Sequence, residues 1–358
     1  MTNAASELNL TDVAVAGPDI SWGNFANSDF VLALYGVICT LGIAGNLLAI
    51  FVLLRVPSLR TNTSDFLVHL SLVDFLVCVL VIPFKLVPTT GTPAPNPGFL
   101  GELRCRFYVS QYIFWVCTLT SIYGLVTVNL ERFVAIVYPL KYKVVFTRRN
   151  TYVMMASCWI AAALEQSYSL FQYGEDKEVG CKFVESPSKE IRMAFGLSHC
   201  FCFLVAPFVL LVFMQWKVIS KLKNQVKALE NRLASSARNP SDQREMWQLG
   251  ISRKLSKTLL TFVITFTVCW VPNVSYYFFY VVGVHGDFGN PIYHLSVILA
   301  IGNSCLNPII YIMTNKEFRG GIREAFRTAR GSARVGDEAT GDVATGTVSF
   351  SVPASNNN

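Results

Sequence analysis

The chain has 358 residues, 52% hydrophobic and 15% charged, which excludes an ordinary soluble globular protein, where roughly a quarter of the residues are charged. Its net charge of +7 is unevenly placed: of the 30 Lys and Arg, 22 fall in alternate connections between apolar blocks. That asymmetry is what the positive-inside rule produces, so the charge does not read as a nucleic-acid surface.

Seven apolar blocks, at about 30–55, 64–88, 103–137, 151–171, 190–217, 256–284 and 290–313, can each cross a bilayer as a helix, which takes roughly 20 residues. They leave no room for a separate soluble domain. The expected fold is an all-α membrane protein, a seven-transmembrane helix bundle with a short cytoplasmic amphipathic helix. Its parts are an extracellular tail (1–29), the seven-span domain (30–314), a membrane-surface helix (315–330) and a disordered cytoplasmic tail (331–358).

The N-terminal tail has no basic start and no short apolar core, so the first span is expected to act as the targeting signal. Asn9-Leu-Thr11 is an N-glycosylation acceptor. With the N-terminus outside, the cytoplasmic segments hold the 22 cations and the extracellular ones six. Asn62-Thr-Ser64 and Asn273-Val-Ser275 repeat the acceptor pattern but fall in a cytoplasmic loop and inside a span, and are rejected.

Span one carries Gly45-Asn46. In span two, Asp74 lies nine residues from the start, roughly 14 Å deep at about 1.5 Å per residue. A carboxylate there is expected to be protonated, paired or coordinating a cation. Pro83 and Pro88 are expected to bend the outer end of that helix. Span three places Glu131 and Arg132 side by side near one end, which reads either as a functional site or as a snorkelling arginine that marks the interface. Eight of the 10 cysteines lie inside apolar spans. Cys105, at the outer start of span three, and Cys181, in the loop after span four, face the oxidising side, and a bridge between the two is expected.

Span four holds Trp159 and Glu165-Gln166. In the loop after it, Val179, Cys181 and Phe183 alternate as in a short hairpin. The extracellular segments carry 11 acids against six bases; this reads as a mild bias toward a cationic ligand or as a solvated acidic surface, and both stay open. Beyond Pro207, span five continues as Val218, Leu222, Val226, Leu229 and Leu233, so its helix is expected to project into the cytoplasm until Asn239-Pro240 ends it. Spans six and seven contain Pro272 and Pro308, bends at which rigid bodies pivot. Phe318, Ile322 and Phe326 form an apolar stripe beside basic residues, as in a helix lying on membrane lipids, although Gly320-Gly321 is an unusual pair there. In the tail, Thr345, Thr347, Ser349 and Ser351 alternate, a spacing that phosphorylation would convert into a dense anionic strip.

Taken together, and in order, Gly45-Asn46, Leu70-Ser-Leu-Val-Asp74, Cys105, Glu131-Arg132-Phe133, Trp159, Cys181, Pro207, Cys269-Trp270-Val271-Pro272 and Asn307-Pro308-Ile-Ile-Tyr311 resemble the rhodopsin-like (class A) G-protein-coupled receptors, over residues 29–330. The resemblance implies that Glu131 restrains Arg132 at rest, that Tyr311 swings toward Arg132 on activation, and that Leu140 docks into the G protein. It implies a packed relay of Ile122, Pro207, Phe266, Trp270, Pro272, Asn307 and Pro308, and a buried sodium site formed by Asp74, Ser121, Asn303 and Asn307. Apart from that allosteric ion it implies no cofactor, and it implies no enzymatic activity.

Several positions depart from the family pattern. Phe133 follows the arginine where a tyrosine is usual. Gln215 stands where a tyrosine usually meets Arg132, and Ser252 where some members have an acid. Cys105 precedes Arg132 by 27 residues, two more than the family spacing. Phe114 occupies the place of the aspartate of amine receptors and Ile301 that of the retinal lysine. The first argues against a monoamine ligand, and the second excludes an opsin. The residues expected around a ligand are Lys85, Gln111, Phe114, Trp115, Glu165, His199, Asn273, Tyr276, Tyr277 and Tyr293, a mixed polar and aromatic set that suits a peptide. The leading reading is a plasma-membrane receptor for a neuropeptide-like ligand that activates heterotrimeric G proteins. A class A receptor for a lipid or other small non-amine ligand is second. A secondary transporter or channel is remote, because no internal repeat or mirrored set of polar groups occurs.

Overall fold

The computed structural model describes residues 28–86, 98–176, 180–184, 188–235, 240–284 and 290–327. Asn9, Pro88 and the tail positions Thr345, Thr347, Ser349 and Ser351 lie outside the described residues. Span one is α1 (Asp29–Arg55) and span two is α2 (Asn62–Val81) with a π turn over Ile82–Leu86. Span three is built from α3 (Phe99–Leu103), a π turn (Arg104–Val109) and α4 (Tyr112–Val137). A short helix α5 (Pro139–Val145) leads into α6 (Arg148–Gln166), the fourth span. Span five is α7 (Lys189–Cys200), a π turn (Phe201–Val205) and α8 (Ala206–Ser235); spans six and seven are α9 (Pro240–Val281) and α10 (Pro291–Thr314). A last helix, α11, covers residues 316–327.

Six of these spans are long and apolar enough to cross a membrane by length and composition alone. The fourth, shorter and flanked by Arg148, Arg149 and Glu165, completes the seven. Their start points follow local chemistry. Ser28, Thr147, Ser188 and Asn290 each cap a helix by accepting a backbone N–H, and Thr61 with Ser64 forms a reciprocal capping box, which satisfies donors that the first turn leaves free. Pro139 and Pro291 occupy first-turn positions, where the missing N–H removes no helical bond.

The helices pack as a ring in which α1 touches α2 and α10, α2 touches α4, α4 touches α6 and α8, and α8 and α10 both touch α9. Phe66, Leu119, Ile122, Phe203, Phe262 and Phe266 are buried between them. Ile160, Leu164 and Val268 face outward and exposed, as lipid-facing side chains must in a membrane bundle.

One bound differs from the sequence reading. The helix of span six begins at Pro240, well before the apolar block that starts near residue 256, because Pro suits a helix's first turn. Between spans three and four, Pro139 likewise opens α5. The expected projection of span five beyond the apolar block is present as far as Ser235.

Three π turns, at 82–86, 104–109 and 201–205, all lie toward one end of the bundle. The one in span three accounts for the long spacing between Cys105 and Arg132. A π turn takes an extra residue per turn, and directly after it Gln111 breaks the helix with left-handed backbone angles (φ 56, ψ 30). Such a conformation costs a non-glycine residue about 1–3 kcal/mol, so the surrounding packing must hold it.

Gly45-Asn46 and Pro308 prove to be one device. Pro308 leaves the Ser304 carbonyl without its helical donor, and the Asn46 amide supplies one at 3.0 Å. Gly45 makes room for the ring, since a Cβ there would sit 3.0 Å from Pro308 Cγ. Gly321 has a similar reason: a Cβ would meet Leu59 Cδ1 at 2.7 Å and Val52 Cγ1 at 3.2 Å. The unusual glycine therefore lets α11 lie against the foot of α1, with Phe318 buried and Phe326 against Phe51.

Candidate functional site

A cavity of about 840 Å³ opens at the end where the three π turns cluster. A two-stranded antiparallel hairpin, β1 (Tyr173–Asp176) and β2 (Gly180–Phe183), lies over it, with Glu175 opposite Cys181. The disulfide between Cys105 and Cys181 ties this hairpin to span three. Glu175 accepts the Gly98 N–H at 3.0 Å, and Glu102 accepts the Glu175 N–H at 2.9 Å while pairing with Arg106. Burial raises the Tyr173 hydroxyl above its ordinary pKa.

Of the residues expected around a ligand, Glu165 and Tyr276 do not line this cavity, whereas Lys85, Gln111, Trp115, His199, Asn273, Tyr277 and Tyr293 do. Phe114 does not. It is buried, with ring contacts to Phe84 and Trp115, because the break at Gln111 sets which face of α4 points inward. Asn273 donates to Ser296 at 3.3 Å, joining spans six and seven. His199 lies against Phe203 with centroids 4.2 Å apart, and Phe203 lies 5.6 Å from Trp270. Phe203 thus links the cavity floor to the buried Trp270. Sequence reasoning missed it, since a phenylalanine in an apolar span carries no distinguishing mark.

The charges at this end are arranged unlike the overall acid excess of its loops. Glu102 and Glu175 are engaged as above, and Glu165 accepts from Gln166 at 2.9 Å and lies 3.7 Å from His199 Nδ1. Among the described residues lining the cavity there is no Asp or Glu, while Lys85 and Arg192 both line it.

In the middle of the bundle, Asp74 is 0% exposed. The Ser121 hydroxyl donates to one carboxylate oxygen and the Asn307 amide to the other, both at 2.6 Å. Asn303, one turn before Asn307 on α10, is also buried but is not hydrogen-bonded to Asp74. Among the described residues Asn46 Oδ1, Trp270 Nε1 and the Tyr311 hydroxyl are buried without a hydrogen-bond partner.

At the far end, Arg132 and Glu131 form a two-point ion pair, Nε to Oε2 at 2.6 Å and Nη2 to Oε1 at 3.1 Å. Glu131 is fully buried, and it accepts two further bonds, from Thr63 Oγ1 at 3.0 Å and the Tyr142 hydroxyl at 2.6 Å. Four donors satisfy a carboxylate that would be expensive to bury alone. Tyr142 comes from α5 and stacks on Phe146, whose carbonyl accepts from Asn62 at 2.8 Å. Neither Thr63 nor Tyr142 is adjacent in sequence to the pair. Leu140, on the same short helix, is 91% exposed.

Gln215 does not reach Arg132. It is buried, donates to Asn129 Oδ1 at 2.6 Å and accepts from Ser256 at 3.5 Å, a polar link across spans three, five and six. Thr258 and Thr314 join spans six and seven at 3.0 Å. Tyr311 packs between Phe262 and Phe318. Ile122 and Phe266 are both buried in the shared core. Ser252 is half-buried; Arg132 has no acidic partner other than Glu131 among the described residues.

The family model described as "7 transmembrane receptor (rhodopsin family)" matches residues 45–311. Among the relatives, the alpha-1A adrenergic receptor of Oryzias latipes is 24% identical over 346 residues, covering 89% of this chain and 71% of that protein. The cholecystokinin receptor of Xenopus laevis is 27% identical, covering 80% and 74%, and galanin receptor type 1 of Mus musculus is 26% identical, covering 90% and 89%. The matched region takes in the Asn46, Asp74, Glu131-Arg132, Trp270 and Asn307-Pro308 positions just described, and on that basis the chain belongs to the rhodopsin family of seven-transmembrane receptors, a family of receptors rather than enzymes.

Proposed function

We propose that this protein is a plasma-membrane receptor, N-terminus outside, that binds an extracellular peptide-like ligand in the cavity beneath the hairpin and activates a heterotrimeric G protein at the Arg132 end. The observation that carries this reading is the pairing of a wide, mixed polar and aromatic cavity with a buried Glu131–Arg132 pair at the opposite end. Between them stand buried groups, Trp270 and Tyr311, with unpartnered polar atoms. A buried polar group left unbonded costs about 1–3 kcal/mol, so a second arrangement in which they gain partners is energetically accessible. Ligand binding shifts such a two-state equilibrium by its difference in affinity for the two states. The cation-rich segments on the Arg132 side support the orientation.

The amine-binding relatives do not set the ligand class. Phe114 supplies no charge, and no described carboxylate lines the cavity to hold a protonated amine. Peptide receptors among the relatives and a cavity of about 840 Å³ favour a peptide.

The midplane residues fit a sodium ion by donor chemistry. Asp74 supplies one negative charge, Ser121 an oxygen, and the amides of Asn303 and Asn307 further oxygens once the Asn307 amide turns. A bound sodium would neutralise the buried carboxylate. Leu140 supplies an exposed apolar contact for the G protein, and α11 a basic surface for membrane lipids. Arrestin and receptor kinase are assigned to the tail, and glycosylation to Asn9.

The test is a peptide-library screen on cells expressing the receptor, with calcium and cyclic-nucleotide readouts, repeated with Arg132→Ala. The expected result is a peptide that activates the wild type, while the variant reaches the surface and binds the same peptide without signalling. Normal signalling from the variant would refute the mechanism, and the absence of any active peptide would refute the ligand class.

A further inference from the structure

The acids and bases at the cavity end are not equivalent in how they are satisfied. Glu102 pairs with Arg106, Glu175 holds the Gly98 N–H, and Glu165 is bonded to Gln166 beside His199. Each of these carboxylates is engaged within the protein. The side chains of Lys85 and Arg192, by contrast, line the cavity without an ion pair or hydrogen bond to any described residue. Lys85 is the sharper case. It is carried by the π turn at Ile82–Leu86, whose other four residues are apolar, and is half-buried. Holding an ammonium partly withdrawn from water without a partner is unfavourable. Packing does not require it: the same turn already presents Phe84 to Tyr108 and Phe114, and an apolar residue at 85 would meet no charge.

We propose that the cavity recognises its ligand through a carboxylate, with Lys85 as the counter-ion and Arg192, exposed at the mouth, as a second cation that draws the acid in. This rests on the reading of the cavity as the ligand site and names the ligand's chemistry. It runs against the cationic bias that the loop charges suggest, because Glu102 and Glu175 are engaged within the protein and no Asp or Glu is among the described residues lining the cavity. A charge-assisted bond from an ammonium to a carboxylate is about twice as strong as a neutral one and is stronger in a partly desolvated cavity. The carboxylate can come from a free peptide C-terminus or from an acidic side chain, and the two are separable.

The experiment uses the full chain in lipid nanodiscs and three matched dipeptides: N-acetyl-Gln-Trp-amide, which is neutral; N-acetyl-Glu-Trp-amide, with a side-chain acid; and N-acetyl-Gln-Trp with a free C-terminus. Affinities are measured by calorimetric titration for wild type, Lys85→Gln and Lys85→Arg. The expected result is that one acidic dipeptide binds the wild type about tenfold more tightly than the neutral one, a difference of the size one charge-assisted bond provides. Which acid is preferred identifies the source. Lys85→Gln should reduce the preference to within about twofold, and Lys85→Arg should retain it. Equal binding of all three to the wild type overturns the proposal, as does no binding by any of them up to about 10 mM, or an acid preference that survives in Lys85→Gln. None of these outcomes bears on the Arg132→Ala signalling assay, so the receptor reading stands or falls separately.

Discussion

Replacing Gln215 with leucine tests whether the buried polar link between spans three, five and six restrains the resting state. The side chain is buried, its amide donates to Asn129 Oδ1 at 2.6 Å, and its carbonyl accepts from Ser256 at 3.5 Å. The second contact is at the limit of a hydrogen bond and contributes little. Leucine keeps most of the volume but strands the Asn129 oxygen, because the Asn129 nitrogen already donates to Leu125 within its own helix. Leaving that acceptor unsatisfied costs about 1–3 kcal/mol. If the link exists only in the resting arrangement, a loss of about 1.4 kcal/mol raises the active population about tenfold. The assay is basal nucleotide exchange on a purified G protein with the receptor in nanodiscs, with thermal unfolding measured alongside. The expected outcome is roughly tenfold higher basal exchange, and Asn129→Leu combined with Gln215→Leu should recover part of the lost stability, because both partners are then removed together. Unchanged basal exchange with lower thermal stability would show that the link persists in both states and refute its role as a restraint.

Tyr142→Phe removes one of the four donors to Glu131 and is expected to raise basal exchange by about five- to tenfold, about 1–1.5 kcal/mol; a silent variant would mean that α5 does not help hold Arg132. Asp74→Asn removes the charge that sodium would neutralise, so agonist affinity, which sodium lowers in the wild type, should become insensitive to it; displacement curves with sodium and with a bulky organic cation decide this. Gly321→Val places a Cβ 2.7 Å from Leu59 Cδ1 and is expected to lift α11 from α1 at a cost of about 1–3 kcal/mol. Faster hydrogen exchange across residues 316–327 would report it, and unchanged exchange would contradict the packing argument.

Much of this molecule follows from one-dimensional pattern. The spans, the proline positions and the pairing of Cys105 with Cys181 are legible because a bilayer imposes a minimum length of apolar helix and leaves few cysteines outside it. Glu131-Arg132 and Asp74 stand out as charges in apolar surroundings. What the linear pattern does not hold is the geometry that depends on residues distant in sequence. Thr63 and Tyr142 converge on Glu131 from two different helices, Asn46 answers a carbonyl released by Pro308, and Phe203 joins His199 to Trp270. None is unusual for its own segment; each acquires its role only from packing. The bend at Gln111 shows the same limit, since the two surplus residues after Cys105 are countable, but only the folded chain decides that a π turn and a left-handed residue absorb them and turn Phe114 into the core. Charge is the clearest case. Composition alone counts an acidic surplus around the mouth, whereas the tertiary structure engages Glu102 and Glu175 internally and places Lys85 and Arg192, but no described carboxylate, on the cavity lining. The reason is physical: electrostatics depends on distance and desolvation, neither of which is a property of sequence order.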